Sequence, residues 1–128
     1  GPFTLSALLR AGDEGHRQGG RVLSKRRGRV GWELVAPRRN SGRVSFFCTS
    51  GHVDLGSTRV DDGRWHHVAV ALDAGGELHC YVDGRPDGAQ RLSVQPLPGV
   101  DLWLGAREGV RDTFLGDLRE VQVFDEAL

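Results

Sequence analysis

Asp62-Gly63-Arg64-Trp65-His66-His67-Val68-Ala69-Val70-Ala71-Leu72, then Asp73-Ala74-Gly75-Gly76, then Glu77-Leu78-His79-Cys80-Tyr81-Val82-Asp83-Gly84 is the stretch whose pattern decides the fold. Nothing in it repeats at helical spacing. Each apolar run alternates and is bounded by Asp and Gly, so the stretch predicts two strands joined as a hairpin. Parity sets His66, Val68, Val70 and Leu72 on one face and His67, Ala69 and Ala71 on the other. By the same rule Leu78, Cys80 and Val82 share the core face of the next strand. Asp83-Gly84 signals a second tight turn, because a left-handed backbone position favours Gly and tolerates Asp.

Short alternating runs continue in both directions. Upstream, strands are expected over Phe3–Leu9 and Arg21–Lys25, separated by a polar loop from Ala11 to Gly20. Arg26-Arg27-Gly28-Arg29 reads as a hairpin tip, Val30–Ala36 as the return strand, Pro37–Gly42 as its exit turn, and Arg43–Thr49 and Val53–Ser57 as further strands. Downstream, Arg91–Val94, Asp101–Leu104 and Leu118–Phe124 complete the set, with a short helical turn expected over Asp125–Leu128. Many short strands at close spacing predict an all-β fold: a two-sheet antiparallel jelly-roll β-sandwich occupying residues 1–128 as a single domain.

The chain has 128 residues, enough to bury roughly two thirds of its unfolded surface without a metal or a disulfide. Its 19 Gly and 5 Pro are interspersed with Val, Leu, Trp and Phe, which excludes collagen and disorder as the main state. No apolar run approaches the roughly 18 residues that read as a membrane-spanning helix, so no membrane insertion is expected. The N-terminus lacks the regions of a signal peptide, and Gly1-Pro2 has the look of a protease-cleavage scar.

Net charge is zero, with 17 basic and 17 acidic residues, but residues 1–50 carry ten cations against three acids and the remainder the reverse excess. If the basic half forms one face it attracts anionic ligands; if the strands interleave the halves, the field cancels. Lys25 is the only lysine, so the positive charge is nearly all guanidinium. Nucleic acid is not expected as a partner, because no aromatics interleave the basic run and the whole chain is neutral.

Cys48 and Cys80 permit one bridge without demanding it, and each also suits a small core hydrophobe. Trp32, Trp65 and Trp103 are expected to anchor packing. His66 and His67 point to opposite faces, which argues against their sharing a metal ion. Catalysis is not expected: the sequence has no alternating pair of carboxylates on one strand, no Gly-x-Ser-x-Gly elbow, no Walker loop and no His-Glu-x-x-His.

Asp62–Val70, Leu78–Gly84 and Phe114–Phe124 with Ala127-Leu128, taken in order and spacing, resemble the laminin G-like, concanavalin A-like jelly-roll family. Phe3–Leu9, Val22–Lys25 and Gly31–Leu34 resemble its early strands, although a chain opening at Phe3 looks short of the family's first one. The resemblance implies a non-catalytic binding or adhesion module that recognises carbohydrate or a protein through rim loops, in an extracellular or secreted setting within a larger protein. Likeness to the pentraxin branch implies a calcium site on the rim. The candidate oxygens are Asp13, Glu14, Glu108 and Asp112, because calcium takes six to eight oxygens from converging loops.

The chain departs from that branch in having Gly19-Gly20 where a paired acid and amide belong, and it carries Arg119 where an Asp is common. A competing ligand site is basic: Lys25, Arg26, Arg27 and Arg29 on one hairpin with Arg38 and Arg39 at the next turn, suited to sulfated glycans. The alternative to a ligand module is an assembly domain packed on a neighbouring domain or on a homo-oligomer mate through an exposed sheet edge.

Overall fold

The computed structural model describes residues 2–13, 19–27, 30–48, 51–92, 103–104, 114 and 116–127. The strands are β1 (Phe3–Arg10), β2 (Arg21–Arg27), β3 (Val30–Val35), β4 (Ser45–Cys48), β5 (Gly51–Asp54), β6 (Trp65–Leu72), β7 (Glu77–Val82), β8 (Arg85–Arg91), β9 (Trp103–Leu104) and β10 (Asp117–Phe124). They form two five-stranded antiparallel sheets, β10-β1-β6-β7-β8 and β5-β4-β3-β2-β9. The architecture is the expected jelly-roll sandwich.

Alternation fills the space between the sheets. Leu5, Ala7 and Leu9 of β1, Val68, Val70 and Leu72 of β6, and Leu78, Cys80 and Val82 of β7 meet Leu23, Leu34, Phe46 and Cys48 of the second sheet in one core. Each fully buried aliphatic side chain contributes about 1.5–3 kcal/mol through removal from water. At one end Trp32 stacks on Phe3 and on Phe46, each at 6.0 Å between ring centroids, so this tryptophan is the packing anchor the sequence suggested. The side chain of Trp103 lies outside the described residues.

Several boundaries move. No strand begins at Arg91; β8 ends there and starts directly after the Asp83-Gly84 turn. Both turn residues have positive φ, 53° and 79°, which is the two-residue geometry that returns a strand at once. The polar composition of β8, with Pro86 inside it, disguises it as a loop. Such a sequence is tolerated because β8 is a sheet edge. Asp87 ties that edge to the loop after β5, accepting the backbone N–H groups of Ser57 (2.9 Å) and Thr58 (3.1 Å). Gly88 is required at this contact, since a Cβ there would overlap the Leu55 carbonyl oxygen. β5 begins at Gly51 instead of Val53, and residues 125–126 form bends where a helical turn was expected.

His66 closes the β6 end of the sandwich. The residue is 9% exposed and its ring lies between two carboxylates, with Nδ1 2.8 Å from Asp83 Oδ2 and Nε2 2.8 Å from Asp62 Oδ1. Asp83 Oδ1 also accepts the His67 N–H at 2.9 Å. Burial pushes the His66 pKa down, but hydrogen bonds and charge from Asp83 and Asp62 push it up by more, leaving it above 6.5. Burial likewise raises Asp62 and Asp83, and the His66 hydrogen bond and backbone donors outweigh it, leaving both below 3.8. The imidazolium thus clamps the turn before β6 to the turn after β7.

A histidine whose folded pKa is raised contributes stability that is complete below its unfolded pKa and is lost as pH rises through the folded value. The aspartates' contribution is present above their unfolded pKa and is lost as pH falls through the folded values. The clamp is therefore strongest between about pH 4 and about pH 6.5. The urea midpoint is expected to fall between about pH 6 and about pH 9, and His66→Gln to lower it at pH 6 and flatten that slope. Denaturation curves at several pH values check this, and a wild-type slope retained in His66→Gln refutes the clamp.

Cys48 and Cys80 are buried thiols without a disulfide, packed in the core. Burial, with a smaller push from Asp87, raises the Cys80 pKa to about 12. Cys80→Ser is expected to destabilise by about 1–3 kcal/mol, because a hydroxyl replaces a thiol among apolar neighbours. Denaturant titration measures the loss, and a midpoint equal to wild type refutes the packing role.

Candidate functional site

The outer face of the first sheet is the counterpart of the core face. Where Leu5, Ala7 and Leu9 point inward, Thr4, Ser6, Leu8 and Arg10 point away, and β6 does the same with Trp65, His67, Ala69 and Ala71. Strand register orders these residues in cross-strand rows. One row runs Phe124, Thr4, Ala71, His79; the next runs Gln122, Ser6, Ala69, Tyr81. Small side chains sit on the two central strands and larger ones on the strands beside them. The surface is therefore a trough, with Thr4, Ser6, Ala69 and Ala71 as its floor and Tyr81, Phe124, Gln122 and His67 as its walls.

The trough encloses a cleft of about 270 Å³, and its lining carries no carboxylate, Lys or Arg among the described residues. Aromatic faces and alkyl floor atoms offer apolar contact. The Ser6 hydroxyl, the Gln122 amide and the His67 ring offer hydrogen bonds. The Thr4 hydroxyl is already engaged, donating to the Glu126 carbonyl at 2.7 Å. A mostly apolar cleft with a few placed polar groups is the usual composition of a small-ligand site.

Beyond His67 the face becomes charged. Trp65 lies between two guanidinium groups, Arg10 at 4.9 Å and Arg119 at 4.8 Å from the ring, within cation–π range. Arg10 also donates from Nε and Nη2 to Asp117 Oδ2, at 2.9 and 2.7 Å. The departure at position 119 thus has a physical role, since an Asp there could not stack on the indole. Trp65 belongs to this outer cluster and is not a core anchor.

Of the rim candidates, Asp13 falls among the described residues. Asp13 lines a cleft of about 350 Å³ at the end of the sandwich with Arg10, Gly63, Gly116 and Asp117. Glu14, Glu108 and Asp112 lie outside the described residues, so the calcium set is placed only through Asp13. Of the basic set, Lys25 lies on β2, Arg26 and Arg27 are described in backbone only, and Arg29 lies outside the described residues. Arg38 and Arg39 follow the far end of β3, six residues of strand from the hairpin tip and so roughly 20 Å away. The Arg38 guanidinium donates to Asp54 Oδ1 at 2.6 Å, while Arg39 is exposed. Along the backbone, Arg38 and Arg39 thus lie beyond the end of β3 opposite to the one that pairs with Arg26 and Arg27.

Reading along the sequence missed Tyr81, Phe124, Gln122 and the small floor residues. They come from four strands, and only the pairing register joins them. The one available signal was the Ala69–Ala71 alternation, which marks a lightly filled face of a central strand.

Known proteins share this architecture. The CBM40 module of the Ruminococcus gnavus IT-sialidase, solved with α2,3-sialyllactose, superposes with a TM-score of 0.75 at 18% identity, covering 99% of this chain and 77% of that one. A Bacteroides ovatus protein gives 0.72 at 19% identity over 99% of this chain and 38% of that one. The botulinum neurotoxin serotype D binding domain gives 0.69 at 14% identity, over 99% and 33%.

Among curated sequences, a calpain-type cysteine protease of Arabidopsis thaliana is 43% identical over 60 residues, and one of Zea mays is 43% identical over 61 residues. The aligned part is 41–42% of this chain and spans 3% of those proteases' length. A family model matches residues 1–128, and with the two-sheet jelly roll this shows that the chain belongs to the concanavalin A-like lectin/glucanases superfamily in its laminin G-like branch.

Proposed function

We propose that this domain is a non-catalytic carbohydrate-binding module that holds an uncharged saccharide in the trough on the outer face of its first sheet. The observation that carries the reading is the lining: Tyr81 and Phe124 as apolar walls, Ala69 and Ala71 as a floor that allows close approach, and Ser6, Gln122 and His67 as hydrogen-bonding groups. A pyranose presents the matching chemistry, with C–H patches on its ring faces and hydroxyls around its edge. Among the described residues the lining offers no carboxylate pair to cleave a glycosidic bond, which supports a site that retains its saccharide. The module serves as the recognition part of a longer chain, and an extracellular or secreted setting is where such a ligand is met.

The assembly reading rests on one feature. Val123, 46% exposed, stands on β10, which ends the first sheet. It predicts self-association through that edge and indifference to sugars.

Titration calorimetry with neutral, sialylated and heparin-derived oligosaccharides separates the readings. Tyr81→Ala is expected to weaken neutral-glycan binding about tenfold, equivalent to about 1.4 kcal/mol, while leaving the fold intact. Salt-sensitive heparin binding that disappears when Lys25, Arg26, Arg27 and Arg29 become Ser moves the ligand to the basic hairpin. Absence of binding to every saccharide, with concentration-dependent dimerisation in sedimentation, overturns the module in favour of assembly.

A further inference from the structure

The β6–β7 hairpin gathers three potential metal donors on one point. Glu77 and His79 share a face of β7, and Asp73 reaches them from the turn, so that Asp73 Oδ2, Glu77 Oε1 and His79 Nε2 all lie within 4.8 Å of one another. Nε2 stands 3.0 Å from the Asp73 oxygen and 3.3 Å from the Glu77 oxygen. All three side chains are partly exposed, at 32% for His79, 40% for Asp73 and 41% for Glu77, so an ion reaches them without opening the core.

We propose that Asp73, Glu77 and His79 form a binding site for a divalent transition-metal ion of the zinc class, with water completing the coordination. Donors bonded to such an ion at about 2.0–2.1 Å stand about 2.9 Å apart at right angles and about 3.4 Å apart in a tetrahedron. The separations from Nε2 already fall in that interval. One imidazole nitrogen can direct one N–H at one oxygen, whereas a cation in the gap meets the nitrogen lone pair and both carboxylates together.

Asp73 is held in position for this. Its Oδ1 accepts the N–H groups of Gly75 and Glu77, each at 2.9 Å, which aims Oδ2 at His79. One nitrogen with two carboxylates suits zinc, cobalt or nickel, while calcium, which takes six to eight oxygens, is disfavoured. Arg91 is the nearby countercharge: it pairs in backbone register with Glu77, and its guanidinium donates to the Gly75 carbonyl at 2.6 Å. The site adjoins the trough, since His79 ends the row of Phe124, Thr4 and Ala71, but the inference does not rest on the glycan reading.

Calorimetric titration of the untagged domain with zinc, and absorption titration with cobalt, tests the site. A saturable one-to-one signal is expected in wild type and in His52→Gln, which removes a histidine of the other sheet. The signal is expected to disappear in His79→Gln and to weaken at least tenfold in Asp73→Asn, which keeps the turn-forming oxygen but loses the charge. Cooperative thermal melting shows that each variant is folded. No saturable binding in wild type, or binding unchanged in both His79→Gln and Asp73→Asn, overturns the proposal. Glycan titrations in chelator leave the trough reading to stand or fall separately.

Discussion

Strand β6 has to satisfy two environments at once, and the rest of the molecule is arranged around that constraint. On one face Val68, Val70 and Leu72 need a dry partner surface, which the second sheet provides. On the other, His67, Ala69 and Ala71 are too small and too polar to seed a second core. Because the strand lies at the centre of its sheet, between β1 and β7, its lightly filled face becomes the bottom of a trough. The same alternation that builds the core therefore leaves room for a ligand. His66 pins the geometry by joining the turns at the start of β6 and the end of β7 through two carboxylates.

Legibility followed the range of the interactions. The β6–β7 hairpin, the Asp83-Gly84 turn and the inward set Leu78, Cys80, Val82 were readable because local parity and turn chemistry fix them. β8 was not, because an edge strand may be polar and carry Pro, and Arg85–Arg91 looks like a loop until Asp87 and Gly88 are seen holding another segment. The trough was harder still. Phe124 and Ala71 are brought together only through Thr4, and no linear pattern encodes the register of three strands. His66 was assigned to the correct face, but its carboxylate partners become neighbours only when both turns close. Of the four rim-calcium candidates, which belong to two loops, Asp13 alone falls among the described residues.

The charge asymmetry of the sequence has a partial structural expression. The second sheet draws β2, β3 and β4 from the basic half and β5 and β9 from the acidic half, while the first draws β6, β7, β8 and β10 from the acidic half and β1 from the other. The sheets thus separate the halves only in part, and ion pairs such as Arg10 to Asp117 within the first sheet and Arg38 to Asp54 on the second join residues of the two halves. These exposed pairs contribute little stability, on the order of 0–1 kcal/mol each, but they cancel field locally.

Charge bears on what the trough can hold. The strands of its sheet are balanced, with Arg10, Arg85, Arg91 and Arg119 against Glu77, Asp87, Asp117 and Glu120, and among the described residues its lining has no guanidinium or lysine to neutralise an anionic sugar. Arg10 and Arg119 are on the same face, but both are engaged on Trp65, and Arg10 also on Asp117. A carboxylated or sulfated saccharide placed there would lose hydration without gaining a charge partner, a loss larger than neutral hydroxyl contacts recover. The sialyllactose held by the Ruminococcus gnavus module therefore does not transfer by shared architecture. Specificity within this fold is decided by which side chains the cross-strand rows bring to the face, and the proposal of an uncharged saccharide rests on those rows.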